Sequence, residues 1–255
     1  MASRGEQRRE ARQKGGSEMT KFYYVLGAVA VIGVAAVGYS VGSKALGNAA
    51  TEPVEVQGLD DMNKLVDMAQ GVTRGEENAP ITIVEFGDYS CPACGTFALQ
   101  VQPQVDLQYV QTGKAKFIFY DFPLTSIHPH SFLAARAARC AGDQGKFWEY
   151  HDILYKNQNR WATKSSVMDD LGTYADQVGL DHDTFTTCLN SDAHAEVVSA
   201  NMRLGYELGV DGTPTVMVSE GKGMARRVND FSFPGIKAVV DDMLQDVNGS
   251  SNPGS

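Results

Sequence analysis

Positive charge and cysteine are both scarce in this chain, and each scarcity closes off a class of function. Of 255 residues, 22 are Lys or Arg against 31 Asp or Glu, a formal balance of −9. The first 21 residues carry six Lys/Arg and three Asp/Glu, so they sum to +3 and everything after them to −12. A folded part this acidic repels a phosphate backbone, which argues against nucleic acid as its partner. There are four cysteines, and only Cys91 and Cys94 stand close together; Cys140 and Cys188 follow 46 and then 48 residues later. A structural zinc site usually draws four N/S ligands from two close pairs. The second pair is missing, and the five histidines are scattered apart from His128 and His130. No metal is expected, and no internal repeat is present.

Charge is absent altogether between Lys21 and Lys44, where FYYVLGAVAVIGVAAVGYSVGS runs for 22 residues. That suffices for a bilayer span of about 20 residues. Basic sequence precedes the run and acidic sequence follows it, so residues 1–21 are expected to stay in the cytoplasm and the remainder to be exported. Phe22, Tyr23, Tyr24 and Tyr39 sit near the ends, where aromatic rings favour the interface. Residues 22–43 are therefore read as a transmembrane signal-anchor. The competing reading is a cleaved signal peptide, with Gly47-Asn48-Ala49 as the cleavage site, although such apolar cores typically span about 7–15 residues. Outside the cytoplasm, paired thiols meet an oxidising environment.

Residues 44–78 read as a linker with one short amphipathic helix near 59–69, carrying Leu59, Met62, Leu65, Val66 and Ala69. A β-branched run at 81–86, bounded by Pro80 and Gly87, reads as a buried strand. A helix is expected from Pro92 toward Val110, kinked at Pro103, and a second strand at 116–120. Helical periodicity then dominates residues 128–208, in segments near 132–141, 147–157, 167–178, 184–190 and 193–208. A hairpin at 215–219 and 224–228, turning at Gly221-Lys222-Gly223, leads into a last helix at 236–247. Residues 248–255, rich in Gly, Ser, Asn and Pro, read as disordered. Strands alternating with helices imply a layered α/β sheet over residues 79–247, here with an all-helical insertion.

One short stretch, GDYSCPACGTF, states the chemistry. A disulfide between Cys91 and Cys94 closes so small a loop that it would stabilise the fold weakly, and short accessible disulfides are labile. Pro is comfortable at the first position of a helix, where its missing N–H costs nothing. With Pro92 there, Cys91 is the N-cap, and its sulfur faces the unpaired N–H groups of Ala93 and Cys94 at the positive end of the helix dipole. A thiolate is stabilised in such a place, and its pKa falls from about 8.5 toward roughly 3.5–7.5. Cys94, one turn in, should be buried and keep a higher pKa. One sulfur nucleophilic and one shielded make a centre for thiol–disulfide exchange.

Three segments in order, GEENAPITIVEFGDYSCPAC, AARAARCAGDQGKFWEYHDILY and LGVDGTPTVMV, make the chain resemble the DsbA-like thiol–disulfide oxidoreductases of the thioredoxin superfamily over about residues 77–246. The resemblance implies a thioredoxin-like fold, Cys91 as nucleophile and Cys94 as resolving thiol. It makes Thr213–Pro214 a cis peptide packed against the redox centre, with the Thr213 backbone free to pair with an extended substrate segment; the plain alternative is a proline opening a strand. The family also places an acid at the position of Glu85, where a buried carboxyl of raised pKa would carry protons to and from Cys94. The alternative there is a glutamate at a solvent-facing edge. Asp88 is read as shaping the loop into the helix. Cys140 and Cys188, an even pair in an oxidising compartment, are expected to form a structural disulfide worth on the order of 4 kcal/mol by loop entropy, against the reading of two buried small side chains. The histidines are read as solvated or core, and Phe147, Trp148 and Tyr150 as helix core.

The resemblance further implies no cofactor, exported cysteine-containing proteins as substrates, and re-oxidation by a quinone-linked thiol oxidase of the membrane. A monomer is expected. One departure bears on direction: the dipeptide Pro92-Ala93 lacks the histidine that DsbA-type oxidants carry, so the couple should lie between the roughly −120 mV of DsbA and −270 mV of thioredoxin. A reductase or isomerase, and a non-catalytic binding or metal-handling module, remain as alternatives. Isomerases of this superfamily generally dimerise through an extra domain, for which residues 44–78 are short.

Overall fold

The computed structural model describes residues 49–221 and 224–250. The expected basic tail and transmembrane segment, the hairpin residues 222 and 223 and the last five residues lie outside them. Among the described residues no helix is long and apolar enough to cross a membrane.

The first helix among the described residues is α1 (Met62–Met68), capped by Asp61, whose carboxylate accepts the N–H groups of Asn63 and Lys64. Strands β1 (Val72–Arg74) and β2 (Ile81–Gly87) follow. Helix α2 runs continuously over 92–110, but in four pieces: α-helical Pro92–Thr96, a π turn at Phe97–Val101, α-helical Gln102–Val105 and a second π turn at Asp106–Val110. Strand β3 (Ala115–Asp121) leads to the helical block, α3 (Ser131–Gly142), α4 (Phe147–Lys156), α5 (Gln158–Trp161), α6 (Met168–Gln177), α7 (His182–Asn190) and α8 (Ala195–Glu207). The hairpin β4 (Thr215–Glu220) and β5 (Arg226–Val228) precedes helix α9 (Phe233–Ser250).

These five strands form one sheet ordered β1-β3-β2-β4-β5. The pair β2–β3 is parallel, from Ile81 against Ala115 to Gly87 against Asp121, and parallel neighbours need a crossover, which α2 supplies. All other pairs are antiparallel. Side chains alternate across a strand. Ile81, Ile83 and Glu85 therefore share a face with Phe117 and Phe119, the face on which α2 and α4 lie: Phe97 stacks on Phe117 with centroids 6.4 Å apart, and His151 meets Phe119 at 5.0 Å. On the opposite face Phe86 stacks on Tyr120 at 5.2 Å and meets α8 at Gly205, where an added Cβ would lie 2.6 Å from Phe122. A glycine there lets helix and sheet close up.

The thioredoxin-like α/β layering with a helical insertion is thus present, with several departures from the sequence reading. The stretch read as linker contributes β1 to the sheet, pairing Val72 with Phe119 and Arg74 with Phe117. It is also docked: buried Arg136 donates to the carbonyl of Ala50 at 2.8 Å and to those of Ala193, Leu189 and Ser191, and Val54 N–H reaches Ser199 Oγ at 2.9 Å. Residues 248–250, read as disordered, continue α9. Two π turns flank Pro103, at which a kink is expected; each takes up one extra residue, which re-aims the side chains on either side.

Candidate active site

Strand β2 ends at Gly87 and the chain turns into α2 through the four residues 88–91, knotted by Asp88. Its side chain is fully buried and accepts three bonds, from Ser90 N–H at 2.7 Å, Leu124 N–H at 2.8 Å and His128 Nδ1 at 2.7 Å. Its backbone completes the turn: the carbonyl accepts Cys91 N–H, and the N–H points at Cys94 Sγ, 3.5 Å away. One residue fixes both cysteines and tethers the loop before α3.

Cys91 is the N-cap of α2, extended at φ −76° and ψ 120°, with Pro92 as the first helical residue. Its carbonyl accepts Gly95 N–H at 3.1 Å and the Gln158 Nε2 group at 2.9 Å. Gln158 Nε2 also donates to Tyr89 O at 2.7 Å, so α5 clamps the loop from the helical block. Both thiols are free; Cys91 keeps 8% of its surface and Cys94 none. The Cys91 thiol donates to the Thr213 carbonyl at 3.3 Å, across 122 residues of chain, and the Thr213–Pro214 peptide is cis. The bend is held by Thr215 Oγ1 donating to Gly212 O at 2.8 Å. Thr213 Oγ1 is buried without a partner, poised to turn toward a thiolate.

The two thiols differ sharply. The Cys91 thiol is lowered to about 5, first because the Cys94 thiol donates to it, with Thr213 and the N–H groups of Cys94 and Ala93 adding to that against the penalty of burial. Burial pushes the Cys94 thiol well up, aided by its bond to Cys91 and by the charge of Glu85. Glu85 lies in the middle of β2, fully buried between β3 and β4, and neither carboxyl oxygen has a partner. Desolvation raises it well above the usual carboxylate range, and the Cys91 charge raises it further. The buried hydroxyls of Tyr89 and Tyr155 also lack partners, and the charges on Cys94 and Glu85 act on Tyr155. Glu85 is therefore an unpartnered buried acid within electrostatic reach of both sulfurs. His128 is raised from its ordinary value, chiefly by its bond to Asp88 and in part by the negative charge of Cys91.

The structure gathers Glu85, Cys91, Pro92, Ala93, Cys94, Thr213 and Pro214 into one place. Cys140 and Cys188 lie apart from it, joined as a disulfide between α3 and α7 with Cα atoms 5.9 Å apart. Sequence reasoning passed over His128 and Gln158. Both reach the site from the helical block, 37 and 67 residues beyond Cys91, and no local pattern marks them; the pairing of His128 with Asp88 spans 40 residues.

Comparison with known proteins agrees with this geometry. A family model described as Thioredoxin matches residues 67–233. Two Na(+)/H(+) antiporter NhaA proteins of Salinispora share the domain; the NhaA 1 protein of S. arenicola is 37% identical over 164 residues, which cover 64% of this chain and 24% of that protein. The chain thus spans about a quarter of the length of these relatives. The probable disulfide bond formation protein D of Bacillus cereus is 30% identical over 190 residues, 73% of this chain and 84% of that one. The crystal structure of oxidised BdbD from Bacillus subtilis superposes with a TM-score of 0.61 at 25% identity, covering 69% of this chain and 97% of its own. The chain belongs to the thioredoxin family, among its DsbA-like members.

Proposed function

We propose that this chain is a thiol–disulfide oxidoreductase that introduces disulfides into exported proteins through its Cys91-Pro92-Ala93-Cys94 centre. The observation that carries this reading is the asymmetry of the two sulfurs: one at a helix mouth with a pKa of about 5, its neighbour buried and raised. A substrate thiolate attacks Cys91 Sγ of the oxidised pair, the S–S bond breaks, and Cys94 leaves with the electron pair. Glu85, protonated because it is buried, hands its proton to Cys94, which would otherwise be an expensive buried anion. A second substrate thiolate then attacks the substrate sulfur of the mixed disulfide, and Cys91 departs as a stable thiolate. The substrate has lost two electrons and two protons; the enzyme holds a thiol and a thiolate, and the remaining proton goes to solvent.

The cis Thr213–Pro214 peptide sits against Cys91 and leaves the Thr213 backbone for an extended substrate segment. Re-oxidation of the dithiol is assigned to a quinone-linked thiol oxidase in the membrane. Residues 22–43 serve as the anchor, with the N-terminus cytoplasmic and the catalytic domain outside; the uncharged run and the basic residues before it support this. Cys140–Cys188 is structural, and the protein acts as a monomer.

Equilibration with glutathione redox buffers, read by the fraction of Cys91–Cys94 disulfide, tests the direction. A potential well above the roughly −270 mV of thioredoxin is expected. A value at or below it overturns the oxidase reading and makes the protein a reductase.

A further inference from the structure

Away from the redox centre, the helical block brings together a second set of reactive groups. Cys140 closes the last turn of α3, Cys188 lies near the end of α7, and His194 precedes α8. One ligating atom from each lies within 4.8 Å of the others, the only such group of three found among the described residues. Asp143, outside that group of three, lies beside two of its members: its Oδ2 is 2.7 Å from His194 Nε2 and 3.7 Å from Cys188 Sγ. Two sulfurs, an imidazole nitrogen and a carboxylate oxygen are a complete tetrahedral donor set for zinc.

Two further features point the same way. His194 is the one non-glycine residue with positive φ among the described residues, at 64°, a left-handed conformation that costs a β-carbon residue energy. Although it stands at the N-cap of α8, its side chain makes no capping bond there. The strained backbone instead turns the ring onto Asp143. His194 also lines a cavity with Asp67, Asp192 and Glu196, acidic groups that attract cations.

We infer that Cys140, Cys188, His194 and Asp143 form a zinc site that opens when the Cys140–Cys188 disulfide is reduced and is closed to metal while the disulfide stands. The exchange balances as follows. A dithiol reductant gives two electrons and two protons, its own sulfurs joining as the S–S bond of the protein breaks. Zinc then displaces both thiol protons into solvent. With Zn–S bonds of about 2.3 Å, tetrahedral geometry holds the sulfurs about 3.8 Å apart. Helices with Cα atoms 5.9 Å apart reach that by side-chain rotation. Cys140 is buried and Cys188 and His194 half-buried, so the metal would be partly shielded, with His194 the ligand that also borders the acidic cavity.

The test uses the full chain carrying Cys91→Ser and Cys94→Ser, so that the redox pair binds no metal. This protein is titrated with zinc against a chromophoric chelator, and with cobalt(II) for the sulfur-to-metal absorption band, before and after reduction by dithiothreitol and anaerobic desalting. One zinc per chain is expected after reduction and none before, with His194→Ala weakening binding about tenfold or more. Equal binding in both redox states, or no effect of His194→Ala, overturns the site. So does a reduced protein that loses its helical circular dichroism and fails to regain it with zinc.

Discussion

His128 Nδ1 lies 2.7 Å from Oδ2 of Asp88, a carboxylate with no solvent exposure, and Asp88 in turn touches Cys94 through its N–H and Cys91 through its carbonyl. When protonated, His128 holds a positive charge beside Asp88 and within electrostatic reach of Cys91, a charge that the dipeptide Pro92-Ala93 does not supply. His128→Gln keeps a donor toward Asp88 and removes the charge. The Cys91 pKa should rise by about 0.3–1 unit, and the potential should fall, each full unit being worth about 1.4 kcal/mol or about 30 mV. His128 is charged below its own raised pKa, so wild type and variant should converge as pH climbs through that value. Parallel potentials across the whole range would assign His128 a packing role only.

Thiolate absorbance of the dithiol protein should titrate near pH 5, and Cys91→Ser should abolish that transition. The sign for stability follows. A thiol whose pKa is depressed in the folded state stabilises that state above the ordinary thiol range, and this contribution is lost as pH falls through about 5. The melting temperature of the dithiol form should therefore gain on the disulfide form between pH 4 and pH 8. A constant gap contradicts it.

Glu85 works in the opposite sense. A carboxyl raised by burial favours folding at low pH and opposes it as pH rises through the raised value. Glu85→Gln removes an unpartnered buried acid at little change in shape, and should stabilise the protein at pH 8 by about 1–3 kcal/mol, with the gain shrinking toward pH 4. On the proposed relay, thiol–disulfide exchange at neutral pH should slow by roughly tenfold or more, since Gln cannot hand a proton to Cys94. Stability up and rate down in one variant separates relay from scaffold; an unchanged rate leaves Glu85 no part in the chemistry.

Arg139 and Asp121 form a buried pair, with Nε and NH2 of the arginine at 2.8 and 2.7 Å from Oδ2, while NH2 also reaches Gln70 O and Asn201 Nδ2 donates to the same carboxylate oxygen. The cluster joins the turn before β1 to β3, α3 and α8. Arg139→Ala strands a buried charge and should cost about 3–5 kcal/mol in urea unfolding, whereas Arg139→Met with Asp121→Leu should recover most of the loss. A cost under about 1 kcal/mol for the single change would mean that the pair is solvated.

What could be read from the chain alone was local. Pro92 after Cys91 sets the helix start, and five β-branched or aromatic residues among 81–86 set β2, because both signals sit within one turn or one strand. Strand β1 escaped: three residues, Val72, Thr73 and Arg74, have no period to read, and the strand exists because Arg74 pairs with Asp106 and lies 4.2 Å over the Trp148 ring. The cis bond at Thr213 came from family resemblance, since a proline that opens a strand looks the same either way. Gln158 and His128 act through the fold, and their sequence neighbours say nothing of it.

The two π turns of α2 add a final consequence. Each holds one residue more than a regular helix would, and an α-helix advances about 100° per residue. Excising a single residue between 97 and 101 would let that turn rewind and swing Cys94 about a quarter of the way round the axis relative to Tyr109, which is fastened to α9 through Asp241. Spacer length thus indexes the hidden sulfur onto the sheet, and a shortened variant would keep every side chain named above yet present the wrong azimuth to Glu85.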